Sequence, residues 1–150
     1  MLTLLRTEPE NKDFINLVRK LDAYLKITDE EDHDFYNQFN NIDVLKYIVV
    51  VYKNNIAVGC GAIKHFDSKR IEIKRMFVEN DQRGQGIASK ILTELEAWAK
   101  ELGYSSCILE TGERQVEAVK LYHKRKYKLM NENYGQYKDV VNSLCFEKEV

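Results

Sequence analysis

The chain has 150 residues, 44% hydrophobic and 31% charged, which suits one folded domain with a full core (1–150) and argues against disorder. Its net charge of −1 gives no global field for DNA, RNA or an anionic membrane, and no apolar run approaches the ~20 residues of a membrane span.

The opening "MLTLLRTEPENK" is too short and too soon charged for a signal peptide, so a cytoplasmic protein is expected, with "LTLLR" as an edge strand. From Asn11 to Lys26, Phe14, Leu17, Val18, Leu21 and Leu25 recur at helical spacing. The acidic segment "TDEEDHDFYNQFNN" follows and predicts a second short helix from Thr28 or Asp32. "KYIVVVYKNNIAVGCGAIKHF" reads as a hairpin turning at Asn54-Asn55, with Gly59 and Gly61 marking a bulge or a close approach. "RIEIKRMFV", Arg70 to Val78, alternates apolar and charged residues as a half-exposed strand. Its phase slips between Ile73 and Met76, which predicts a bulge near Lys74 and Arg75.

Gly84 to Leu102 is the clearest amphipathic helix, with Gly103 as its stop. "SSCILE" is a strand, Arg114 to Arg125 a helix with Val116, Val119 and Tyr122 on one face, and "VVNSLCFEKEV" a closing strand. The order is β-α-α-β-β-β-α-β-α-β, a mixed sheet with helices on its faces. The basic run "HKRKYK" reads as cations complementing a helix C-terminus, with a local anion contact left open.

Cys60, Cys107 and Cys145 form no Cys-x-x-Cys pair and suggest a reducing compartment; none lies in a motif for an acyl-carrying nucleophile. His33, His65 and His123 lack metal-ligand spacing, so no metal is expected.

The stretch "ENDQRGQGIASK", between a strand and a helix, is how backbone amides hold a phosphate. A nucleotide-triphosphate loop is excluded because its second glycine and its metal-binding hydroxyl are missing. A dinucleotide fingerprint fits poorly: "ENDQR" separates Val78 from Gly84, and the preceding strand carries Glu72, Lys74 and Arg75. Arg83-Gly84-Gln85-Gly86-Ile87-Ala88 resembles the Gln/Arg-x-x-Gly-x-Gly/Ala motif of the GNAT superfamily of N-acetyltransferases.

That resemblance, specific from about Ile71 to Tyr127, implies the GNAT fold: an α/β (α+β) architecture around a mixed, mostly antiparallel sheet of six to seven strands. Helices flank the sheet, which splays between its fourth and fifth strands. It implies acetyl-CoA as cofactor, held at Met76, Phe77, Val78, Arg83, Gly84, Gln85, Gly86, Ile87, Ala88, Ser89 and Tyr122. In the family the loop wraps the pyrophosphate, and the amide at Val78 donates to the thioester carbonyl. "EAVKLYHKRKYKL" resembles the signature "A-x-x-x-Tyr-x-x-x-Gly-Phe": Ala118 and Tyr122 match, and Lys126-Tyr127 replace Gly-Phe. The resemblance makes Tyr122 the donor to the departing thiolate, set against a packed core tyrosine. Glu72 is the candidate base, set against a solvated carboxylate, and Glu110 is its rival or an anchor for a substrate ammonium. In the tail, Tyr134 and Tyr137 flank Gly135, and Tyr134 is a candidate substrate residue.

The resulting expectation is acetyl transfer from acetyl-CoA to a primary amine by direct attack in a ternary complex. The acceptor is a small molecule or peptide, nucleic acid and membrane partners are not expected, and a homodimer is compatible. The alternatives are a catalytically weak coenzyme A sensor or regulatory module, and a nucleotide-binding protein. The acidic run Asp29 to Asp34 reads either as the border of a cationic acceptor site or as a solvated face.

Overall fold

In the computed structural model, which describes residues 1–29 and 45–150, the chain runs β1 (Leu2–Thr7), α1 (Lys12–Asp29), β2 (Tyr47–Lys53), β3 (Ile56–His65), β4 (Arg70–Val78), α2 (Ile87–Glu101), β5 (Ser106–Gly112), α3 (Val116–Lys124), β6 (Lys128–Leu129) and β7 (Ser143–Glu149). The strands form one sheet in the order β1-β2-β3-β4-β5-β7-β6, with β1 at one edge as the sequence predicts. All pairings are antiparallel except β4 with β5. Thr28 falls within α1; the rest of the predicted second helix, and most of the acidic run, lie outside the described residues.

The branched run of β2 is buried on both faces, because helices cover both. Ile48 and Val50 meet Phe14, Leu17, Val18 and Leu21 of α1. Val49 and Val51 belong to the opposite core with Ile87, Ile91, Leu92, Leu95 and Ala99 of α2. The turn to β3 is the one its sequence demands, since Asn54 and Asn55 both have positive φ (52° and 70°). Gly61 lets α2 close on the sheet: a Cβ there would stand 2.7 Å from Ile91 Cγ2 and from Met76 Sδ.

β4 carries the predicted bulge. Its register against β3 shifts between Cys60 and Ala62, and Arg75 takes φ 57°. The bulge turns the phase over, so Ile71 and Ile73 before it and Val78 after it serve the same core. The expectation of a half-exposed strand is corrected, since Glu72, Lys74 and Arg75 are only 4%, 8% and 7% exposed. Their polar ends find partners inside: Arg75 donates to Asp22 of α1 at 2.8 Å, and Glu72 accepts from Tyr134 at 2.6 Å. Exposure of β4 therefore does not count against a dinucleotide loop. The one from spacing stands, because a short 3-10 turn, Asn80–Gln82, fills the gap before the loop.

Two smaller expectations also change. Val116 is 54% exposed and leaves the expected stripe, while Tyr122 and the partly buried Val119 pack inward as the spacing predicts, with Ala118 and Leu121 beside them. The expected element order also gains a strand: the two-residue β6, which has no signal in the sequence, pairs with the closing strand β7 on the side away from β5.

Candidate active site

The site begins where two parallel strands part. β4 and β5 pair only at Arg70–Ser106, Ile71–Cys107 and Glu72–Ile108; beyond Glu72 neither has the other as a neighbour. The opening is a cleft of about 760 Å³ between β4, the glycine loop, the end of β5 and α3.

At one end lies the start of α2. Gly84 and Gly86 take φ 80° and 78°, a region costly for side-chain-bearing residues, and a Cβ at either would meet nothing within 4 Å. The first helical bond runs from the Lys90 amide to the Gly86 carbonyl, so the amides of Gly86, Ile87, Ala88 and Ser89 have no intrahelical partner. No side chain caps this end of the helix. The positive end of the helix dipole and its open amides thus face a space with room for an anion.

Along β4, pairing decides which backbone groups face the cleft. The Glu79 amide donates to the Val58 carbonyl at 2.8 Å, which makes Gly59–Val78 a non-hydrogen-bonded pair of the antiparallel ladder. The N–H and C=O of Val78 therefore point away from β3, to the side where the sheet opens. Arg83 takes up the carbonyl, its Nε donating at 3.0 Å with the guanidinium near the rings of Tyr24 and Phe77. Phe77 is reversed: its backbone pairs with β3, and its side chain joins the core beneath α1.

Tyr122 lines the cleft from α3, its ring packed on Tyr127 and Phe146. Burial, and then the charge of Glu110, push its hydroxyl well above the ordinary tyrosine range, so it stays a neutral donor. The Lys126-Tyr127 replacement keeps the turn tight. Lys126 adopts φ 70°, the Tyr127 amide donates to the Tyr122 carbonyl at 2.9 Å, and the Lys126 amide to the His123 carbonyl at 3.1 Å.

The other end of the cleft is polar. Glu72 and Glu110 both line it, with the Lys74 ammonium 3.8 Å from Glu72. Burial pushes the Lys74 pKa down, and Glu72 and Glu110 oppose that shift. Ser143 Oγ donates to Glu110 at 2.6 Å. Tyr134 is buried behind Glu72 and does not line the cleft, whereas its neighbour Tyr137 does. Gln85 is also off the lining and accepts from Lys53 at 2.8 Å. The other predicted residues (Met76, Phe77, Val78, Arg83, Gly84, Gly86, Ile87, Ala88, Ser89) come together there.

Lys74, Gln115 and Lys120 also line the cleft without having been expected there, and so does Lys124, from the basic run where an anion contact was left open. For Lys120 a signal existed: it stands four residues before Lys124 and so shares a face of the same helix with it. Gln115 had none, being a polar residue before a helix.

The family model described as "Acetyltransferase (GNAT) family" matches residues 12–127, extending into the N-terminal half where the motifs are loose. The chain is 31% identical over 129 residues to an "IAA acetyltransferase" of Azospirillum brasilense, covering 84% of each chain. In structure it is similar to a protein of Klebsiella pneumoniae provisionally described as an acyl-CoA N-acyltransferase, with TM-score 0.83, 28% identity and coverage of 99% and 97%. A GNAT family acetyltransferase from Elizabethkingia anophelis with acetyl-CoA bound shares the fold at TM-score 0.73 and 18% identity, with coverage of 99% and 98%. The chain belongs to the acetyltransferase (GNAT) family of acyl-CoA-dependent N-acyltransferases.

Proposed function

We propose that this protein moves an acetyl group from acetyl-CoA to a primary amine on a small molecule or peptide, by direct attack with both substrates bound. The observation that carries this is the continuity of the cleft. Open amides at the start of α2, the outward N–H of Val78, the Tyr122 hydroxyl and two carboxylates lie along one opening between β4 and β5.

Acetyl-CoA supplies the activated acyl group. The residues fit it on three counts. Empty space above Gly84 and Gly86 and the free amides suit a pyrophosphate, Lys120 and Lys124 add positive charge to the lining, and the unpaired side of β4 suits an amide-bearing arm. The Val78 N–H is aimed where a thioester oxygen gains charge, and a preorganised donor of this kind typically lowers a barrier by roughly 2.7–4 kcal/mol. Tyr122 is a neutral phenol and can give a hydrogen bond or a proton to the leaving sulfur. Glu72 is the candidate to take the proton that an ammonium must lose before its nitrogen can attack, with Glu110 as its rival or the anchor for the amine.

The test is thiol release at fixed acetyl-CoA across a panel of amines, alongside calorimetry with coenzyme A, ATP and NAD. Binding of coenzyme A together with amine-dependent thiol release is the expected result. Coenzyme A binding without release on any amine would favour the sensor reading; ATP or NAD binding without coenzyme A binding would overturn both.

A further inference from the structure

We infer that Tyr134 is a positioning residue for Glu72, holding one carboxylate oxygen so that the other is presented to the amine. This rests on the reading of Glu72 as the base. Tyr134 Oη donates to Glu72 Oε2 at 2.6 Å, and the Lys74 ammonium approaches the same oxygen at 3.8 Å. Both contacts fall on Oε2, which leaves Oε1 for the cleft that Glu72 lines.

The tyrosine is itself held. Its ring meets Phe66 edge-on at 5.2 Å and Tyr137 at 5.6 Å, and the residue is buried with Ile108 and Cys145 in the same small cluster. The turn after it is tied back, the Tyr137 amide donating to the Tyr134 carbonyl at 3.0 Å. A carboxylate on a strand beside an open cleft has two free torsions near its end. A hydrogen bond from a packed phenol removes that freedom. The phenol keeps its own proton, because burial and then the Glu72 charge raise its pKa well above the ordinary value. Among the described residues, the other charged or titratable groups around Glu72 are Lys64 opposite it on β3, Lys74 and the Asp22-paired Arg75 on β4, Glu110 on β5, Tyr137 in the following turn and Cys145 on β7.

The experiment is a double-mutant cycle of Tyr134→Phe and Glu72→Gln, read as kcat and KM for the amine, coenzyme A affinity and melting temperature. Glu72→Gln is expected to lower kcat about a hundredfold, the scale of lost proton transfer. Tyr134→Phe is expected to lower kcat about tenfold, the scale of one charge-assisted hydrogen bond, with KM and coenzyme A affinity unchanged. It should have no further effect in the Glu72→Gln background. Phe66→Leu is the packing control: it lowers the melting temperature while the Tyr134 hydroxyl is kept, with kcat little changed. An unchanged kcat in Tyr134→Phe, or an equal loss with and without Glu72, would overturn the positioning role while leaving the base assignment standing. Full activity in Glu72→Gln would overturn the base assignment, and the positioning role with it.

Discussion

The two ends of the cleft are built by different means. The glycine end is made by one continuous stretch, Val78 to Lys90, and the groups it presents are backbone amides fixed by two left-handed glycines and a helix start. The polar end is made of side chains from separate segments: Glu72 and Lys74 on β4, Glu110 on β5, and Tyr134 and Tyr137 from the chain before β7. A backbone site is written locally and tolerates most side chains nearby. A side-chain site depends on which strands end up adjacent and on what is packed behind each group.

The comparison can be broken most decisively at the glycine end. Gly86→Glu should abolish coenzyme A binding while the protein stays folded, because the added side chain meets empty space in the protein but places a carboxylate where phosphate is expected. Gly86→Ala separates the two causes. It should cost roughly 1–2 kcal/mol of stability from the positive φ, measured by denaturant unfolding, and retain part of the affinity.

Between the ends, Tyr122→Phe should lower turnover about a hundredfold with coenzyme A affinity little changed. Full turnover across the pH range would make the tyrosine a packing residue, consistent only with its ring contacts to Tyr127 and Phe146.

The polar end also contributes to a pH dependence of stability. Burial pushes the thiol of Cys145, beside Tyr134 and Tyr137, up to about 12 from 9.0, with Glu110 and Glu72 adding to the shift; Cys60 and Cys107 also rise to about 12. Between these values the unfolded chain releases protons that the folded chain keeps. The stabilisation is therefore full below pH 9 and is lost as pH rises towards 12, at up to about 1.4 kcal/mol per pH unit for each thiol. Unfolding followed from pH 8 upward should show that fall, and Cys145→Ala should make it shallower.

The smallest effect is expected at the end of α3. Lys126 sits at φ 70° where the family signature has glycine, so Lys126→Gly should stabilise the fold by about 1 kcal/mol and raise the melting temperature by a few degrees. An unchanged melting temperature would mean that the turn bears no strain.

Much of the glycine end was legible because its determinants are short-range. Arg83 to Ser89 announce the loop, the slip between Ile73 and Met76 announces the bulge at Arg75, and Asn54-Asn55 announce the turn before β3. Each is a local backbone requirement that only a few residue types meet. At the polar end the same local logic misled. Alternation made Glu72, Lys74 and Arg75 look solvated, whereas they are buried and find Tyr134, Glu72 and Asp22 as partners.

The sequence by itself determined the hairpin, the helix that opens on glycines and the strand with a broken phase, because local sterics and periodicity leave few other choices. Tertiary structure decided how far β4 and β5 stay paired, which side of β4 presents the Val78 amide, and that a tyrosine 62 positions away stands behind Glu72. Those outcomes depend on strand order and on packing between distant segments, which no local pattern encodes.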